Sequence, residues 1–248
     1  MRPQFNSFLS FSIYSDFMSR QKLKKFAELL SLSNVYENPD SSKPQLIGLD
    51  GEIVDMKGQW HEKYFKNDNP ITLELACGRG EYAVALGKMF PNRNFIGVDV
   101  KGARIHQGAM KAKEAGLLNV AFLRTRIEQI DLFFGDNEIS EIWITFPDPF
   151  LRESKANRRL TSSWFLDKYK QFLTKEGLIH LKTDSPVLYD FTLEILNNRP
   201  NTEGGHLLVY KDDIYAKPLI MSELEIKTYY ELKNIANSTI KYIRFKLT

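Results

Sequence analysis

Cysteine is almost absent from this chain: Cys77 is the only one in 248 residues. A lone thiol cannot close an intramolecular disulfide, so the expected compartment is a reducing cytoplasm. Histidine is nearly as scarce, and His61, His106, His180 and His206 stand too far apart to suggest a metal site. No stretch approaches the roughly 18 apolar residues needed to span a bilayer, so no membrane association is expected. The apolar residues among the first 17 positions are interrupted by Ser and Asn, which argues against a signal peptide. A strong excess of one charge is also missing. The 34 Lys and Arg residues stand against 31 Asp and Glu, a net charge of +3. Any surface for a polyanion must therefore come from local clustering rather than bulk charge.

At 248 residues the chain can hold one large α/β domain or two small ones, either with a substantial core, and 43% hydrophobic and 26% charged residues are ordinary for a globular protein. Residues 1–17 are expected to be a poorly ordered extension, with Met18-Ser19-Arg20 as a plausible start of the protein proper. Residues 18–56 read as an N-terminal arm and linker. Its helix carries Leu23, Phe26, Ala27, Leu29 and Leu30 at helical spacing, and Pro and Ser mark the linker at 38–44. From 57 to 248 the pattern is that of the main domain. Strands are expected at 71–76, 94–98, 120–123, 142–146, 178–182 and 239–247. Helices are expected at 81–90, 101–115, 160–173 and 187–196. Such alternation predicts a doubly wound, mostly parallel sheet with helices on both faces, a Rossmann-like architecture.

Two stretches carry chemistry. In Leu73-Glu74-Leu75-Ala76-Cys77-Gly78-Arg79-Gly80-Glu81 a strand opens into a glycine-bearing loop and then a helix. Glycine lets backbone approach a ligand, and a helix N-terminus offers unpaired N–H groups. Asp99 ends the next strand, where an acid that binds ribose belongs. Gly78-x-Gly80-x-x-Ala83 also satisfies the dinucleotide fingerprint, so an NAD(P)-linked oxidoreductase is an alternative. Glu74 favours a different ligand, because an acid there repels a pyrophosphate but suits a methionine amino group. Cys77 reads as a small loop residue, not a nucleophile.

The second stretch is Phe146-Pro147-Asp148-Pro149-Phe150, followed by Arg152, Lys155, Arg158 and Arg159. Two prolines bracket Asp148 and restrict the backbone that aims its carboxylate. Cations immediately after it would contact phosphates without reading base sequence. The plain alternative is a proline-bracketed turn with a solvated acid.

Glu74-x-x-x-Gly78-x-Gly80 with Asp99 resembles the class I S-adenosylmethionine-dependent methyltransferases. The Phe-Pro-Asp-Pro stretch with its Arg158-Arg159 pair narrows the resemblance to the tRNA (guanine-N7)-methyltransferases. Thr183-Asp184 and Thr228-Tyr229-Tyr230-Glu231 follow in the order of that family's later motifs. The resemblance runs from about Lys22 to the end of the chain. It implies S-adenosylmethionine as cofactor and tRNA as partner, with methyl transfer to N7 of guanine 46 in the variable loop. It places Glu74, Gly78, Gly80, Asp99, Arg126 and Asp148 around the cofactor, with Asp148 as the active-site acid. Arg152, Asp184, Thr228, Tyr229, Tyr230 and Glu231 would contact the substrate. Some positions depart from the pattern: Arg126 stands where Asp or Asn is common, Arg152 and Tyr229 where Lys is common, and Phe150 where Trp is usual.

Guanine N7 has a lone pair and no proton to lose, so alignment and electrostatics should dominate over base catalysis. Asp184 and Glu231, with Asp148, are expected to hold the guanine edge that carries N1–H and the exocyclic amine. Simpler readings remain beside these. Asp184 could be a helix N-terminal acid, Thr228 and Glu231 an exposed helix turn, and Lys22, Lys24 and Lys25 a solvated helix face. A class I methyltransferase acting on another RNA or a small molecule, and a protein that binds nucleic acid without catalysis, are further alternatives.

Overall fold

The computed structural model describes residues 28–199, 206–216, 218–234 and 239–247. The extension at 1–17 and most of the expected arm helix lie outside these residues. Within them the strands are β1 (Val35–Glu37), β2 (Leu46–Ile47), β3 (Ile53–Val54), β4 (Ile71–Leu75), β5 (Asn94–Asp99) and β6 (Val120–Arg124). They continue with β7 (Ile139–Thr145), β8 (Leu173–Thr183), β9 (His206–Lys211) and β10 (Lys241–Lys246). The helices are α1 (Glu81–Met89), α2 (Gly102–Glu114), α3 (Ser163–Phe172), α4 (Pro186–Asn198) and α5 (Tyr229–Asn234).

All ten strands join one sheet in the order β3-β2-β1-β6-β5-β4-β7-β8-β10-β9. Its centre, β6-β5-β4-β7-β8, is parallel, and β10 runs antiparallel between β8 and β9. Every residue of β4 and β5 is buried, as expected of parallel strands covered on both faces. Alternating side chains feed two cores. Leu73, Leu75, Ile142 and Ile144 pack with α3 and α4 through Phe165, Tyr169 and Leu188. Phe95, Phe122 and Trp143 pack with α1 and α2 through Tyr82, Ile105 and Ala109.

The expected central strands and the helices α1 to α4 are therefore present, with ends shifted by a few residues. Residues 35–54 differ from expectation. Instead of a linker running past the sheet, β1 pairs in parallel with β6, and β2 and β3 extend the edge. Strands of two or three residues are too short to show a period. β9 was likewise not read from the sequence, and α5 was weighed only as an exposed helix turn at Thr228 and Glu231. The winding reverses between β4 and β7, so the crevice beyond their carboxyl ends is where a ligand belongs. The glycine loop leaves β4 there, and the Phe146–Phe150 turn leaves β7.

Candidate active site

The glycine loop is held in place by backbone hydrogen bonds. Ala76, Gly78 and Gly80 all adopt positive φ, at 57°, 56° and 65°. A Cβ on Gly80 would sit 2.4 Å from the Phe122 ring, so α1 can approach the sheet only with glycine there. A Cβ on Gly78 would meet nothing within 4 Å, which leaves that stretch of backbone open to a ligand. Asp99 ties the loop to the next strand: Oδ2 accepts the Gly78 N–H at 2.9 Å and Oδ1 the Lys101 N–H at 2.8 Å. Each oxygen retains a further lone pair. Cys77 is buried, and burial pushes its thiol pKa well up, which fits a packing residue.

Glu74 lies one layer deeper than expected. It is buried, with Oε2 accepting the Ala83 N–H at 2.8 Å and Oε1 lying 3.4 Å from the Thr145 hydroxyl. The first turn of α1 needs acceptors for its unpaired N–H groups, and this carboxylate supplies one. Burial raises its pKa to about 8. The side chain therefore underlies the crevice rather than lining it.

The turn after β7 is strained and clamped. Phe146 and Phe150 sit at φ 47° and 41°, a region rarely occupied by bulky side chains. The Phe146 N–H donates to the Lys182 carbonyl at 2.8 Å. Asp148 is exposed, and its Oδ1 accepts the Phe150 N–H at 3.0 Å. The basic residues that follow divide into two kinds. Arg152, Lys155 and Arg158 are exposed, and Arg158 lies over the Phe150 ring at 4.8 Å. Arg159 is 1% exposed and donates to the carbonyls of Pro149 and Phe150, both at 3.1 Å. It is thus no phosphate contact. A buried guanidinium needs acceptors, and it finds them in the backbone of the turn.

Three adjoining clefts open along the carboxyl edge of the sheet. The first, about 540 Å³, is lined by Asp99, Thr125, Arg126, Asp148, Phe150 and their neighbours. The second, about 260 Å³, shares Phe146, Pro147 and Asp148 with the first and adds Asp184, Ser185 and Tyr230. The third, about 240 Å³, runs between the glycine loop and α5 and includes Gly78, Arg79, Arg104, Thr228, Tyr229 and Lys233. Arg152 lines none of these clefts.

The later motifs meet here as well. Asp184 precedes the true cap of α4, Ser185, whose Oγ accepts the Leu188 N–H at 3.3 Å, so Asp184 is not spent on capping. The Tyr230 hydroxyl donates to Asp184 Oδ2 at 3.3 Å, and its ring lies 5.6 Å from that of Phe146. Thr228 Oγ1 accepts the Glu231 N–H at 3.1 Å at the start of α5. Arg79 stacks 3.6 Å over the Tyr229 ring, so the tyrosine bridges to the glycine loop. Glu231 departs from both expectations. Rather than an exposed turn or a group facing a guanine, it is 1% exposed, and its Oε2 pairs with Lys182 Nζ at 2.9 Å. Lys182 was not foreseen as a site residue, and Arg159 was expected among the phosphate contacts rather than as a clamp on the turn. A lysine within the apolar run Leu178–Leu181-Lys182 was the available signal, since a buried cation demands an acid.

Among the described residues, no group of three or more His, Cys, Asp or Glu is placed to hold a metal ion. No described helix is long and apolar enough to cross a membrane. Residues 68–242 match a family model described as putative methyltransferase. A tRNA (guanine-N(7)-)-methyltransferase of Bacteroides fragilis (strain YCH46) is 48% identical over 231 residues, covering 93% of this chain and 87% of that protein. Another of the same name, from Porphyromonas gingivalis (strain ATCC BAA-308 / W83), is 50% identical and 77% of each chain is covered. Among solved structures, the 16S rRNA methyltransferase KamB superposes with a TM-score of 0.58 at 12% identity, covering 79% of this chain and 96% of its own, a likeness of fold. With this sheet order, these clefts and relatives of such identity across nearly its whole length, the chain belongs to the tRNA (guanine-N(7)-)-methyltransferase family.

Proposed function

We propose that this protein transfers a methyl group from S-adenosylmethionine to N7 of guanine 46 in the variable loop of tRNA. The observation that carries this reading is a continuous crevice with a nucleoside-sized cleft at Asp99 and a smaller acid-lined cleft at Asp184, joined at Phe146–Asp148. The names of the relatives point to the same reaction.

The residues fit the cofactor. Asp99 keeps lone pairs for ribose hydroxyls, and the open face of Gly78 gives room for the amino-acid portion. Thr125 and Arg126 border the same cleft beside the expected base position. When bound, S-adenosylmethionine supplies an electrophilic methyl carbon on a sulfonium. The protein's own contribution is alignment. Asp148 lies where the two clefts join, and Asp184 accepts the N1–H and amine edge of the base, leaving N7 turned toward the methyl group. No side chain need remove a proton from N7, so Asp148 acts by position and charge. Exposed Arg152, Lys155 and Arg158 would contact phosphates.

The oxidoreductase alternative has less support. A dinucleotide needs the first-turn N–H groups of α1 for its pyrophosphate, yet Glu74 already accepts from Ala83. The purified protein should bind S-adenosylhomocysteine and not NAD. tRNA from a strain lacking the gene should lose 7-methylguanosine, and an unchanged level would overturn the assignment.

A further inference from the structure

Lys182 is a wholly buried lysine with no part in the chemistry above. An ammonium has three hydrogens to place. Here they meet Glu231 Oε2 at 2.9 Å, the Ile226 carbonyl at 2.9 Å and the Leu224 carbonyl at 3.3 Å. All three acceptors lie in the segment that leads into α5 and forms its first turn. Glu231 is satisfied in turn, because its Oε1 accepts the Tyr215 hydroxyl at 2.5 Å. Lys182 also holds the opposite wall. Its carbonyl accepts the Phe146 N–H at 2.8 Å, where the Asp148 turn begins. Asp184 follows two residues later on the same strand end.

Burying such an ion pair is costly, and pairs of this kind seldom add stability over apolar residues of like volume. A use in geometry is the better explanation. We infer that Lys182 is a positioning residue for methyl transfer: it clamps the Thr228–Glu231 turn against the Phe146–Asp148 turn, and Glu231 serves that clamp rather than the guanine. The clamp sets Tyr230, which meets Asp184 through its hydroxyl and Phe146 through its ring. The inference rests on assigning the Asp148–Asp184 cleft to the substrate base.

The test uses the full chain with unmodified tRNA and S-adenosylmethionine, comparing wild type, Lys182→Met, Glu231→Gln and the double variant. Each single change should lower kcat/KM for tRNA about 100-fold, the loss that a misplacement of roughly 1 Å can cause. The double variant should lose no more than the worse single, since the two residues act as one unit. Affinity for S-adenosylhomocysteine should stay within about twofold. If the double variant instead loses the product of the singles, Glu231 contacts the guanine and the clamp is wrong. A lowered melting temperature with unchanged kinetics in the folded protein would also overturn it, leaving a purely structural pair. Should Lys182→Met fail to fold, Glu231→Gln and Lys182→Arg are read in the same way. If wild type itself methylates no tRNA, the assignment of the cleft fails. Amide exchange over 224–232 then still reports on the clamp: faster exchange in Glu231→Gln supports it, and equal exchange refutes it.

Discussion

The two walls of the crevice are built by different means. On the cofactor side, side chains hold nearby backbone: Asp99 grips Gly78 across 21 residues and Glu74 grips Ala83 across 9. On the substrate side, beside the local grip of Arg159 on Pro149 and Phe150, side chains also pair with other side chains across longer separations, 46 residues for Tyr230 and Asp184 and 49 for Lys182 and Glu231. The first wall is set by the β-loop-α unit in which it is encoded. The second exists only once β8, the Phe146 turn and α5 have come together. A single substitution should therefore disturb one wall and leave the other, and four variants probe that separation.

The largest effect is expected at Asp99→Ala. It removes the acceptor for two backbone N–H groups and, at the proposed cofactor site, for ribose, so affinity for S-adenosylhomocysteine should fall about 100-fold by calorimetry, at up to 3 kcal/mol for a hydrogen bond to a charged group. Binding of tRNA should stay within about twofold, and an equal loss for both ligands would show that the walls are not separable.

Next comes Arg159→Met, which keeps the apolar stem but removes the donors to Pro149 and Phe150. Urea unfolding should show a loss of about 2 kcal/mol, as expected for hydrogen bonds made by a charged group. Arg158→Met, one residue earlier and exposed, should leave stability unchanged and weaken tRNA binding in a salt-dependent way. Similar behaviour of the two variants would erase the distinction between a clamping arginine and a phosphate contact.

The smallest effect concerns Glu74 and depends on pH. Burial raises its folded pKa from 4.5 to about 8, so the folded state holds the proton more tightly than the unfolded chain. The stability this confers is complete below about pH 4.5 and is lost as pH rises through about 8. Glu74→Gln cannot ionise and keeps an acceptor for the Ala83 N–H. It should therefore gain on wild type by about 1 kcal/mol or more between pH 5 and pH 9 in urea unfolding. Parallel stability curves for the two proteins would contradict this.

The same contrast governs how much the sequence discloses. Strands such as 71–75 and 94–99 are mostly apolar and lie between turn signals, so the sheet centre and the glycine loop were legible. Asp99 was legible for the same reason, since it ends a strand at a fixed distance from the loop. Glu74 was seen as a site acid, but its depth was not, because sequence does not tell which N–H a carboxylate will reach. Arg158 and Arg159 look identical in sequence, and only packing decides that one is solvated and the other enclosed. Glu231 was hidden by the same limit. Its partner Lys182 lies on another strand, and nothing local links them. The short strands β1 to β3 carry no period of their own and exist because β6 offers an edge.

The central claim is that this crevice brings one guanine's N7 to a methyl donor. Its most direct test supplies the purified protein with S-adenosylmethionine and two unmodified tRNA transcripts, identical except for guanine or adenine at position 46. Nuclease digestion should yield 7-methylguanosine from the first transcript and none from the second. Equal methylation of both, or of neither, would contradict the account.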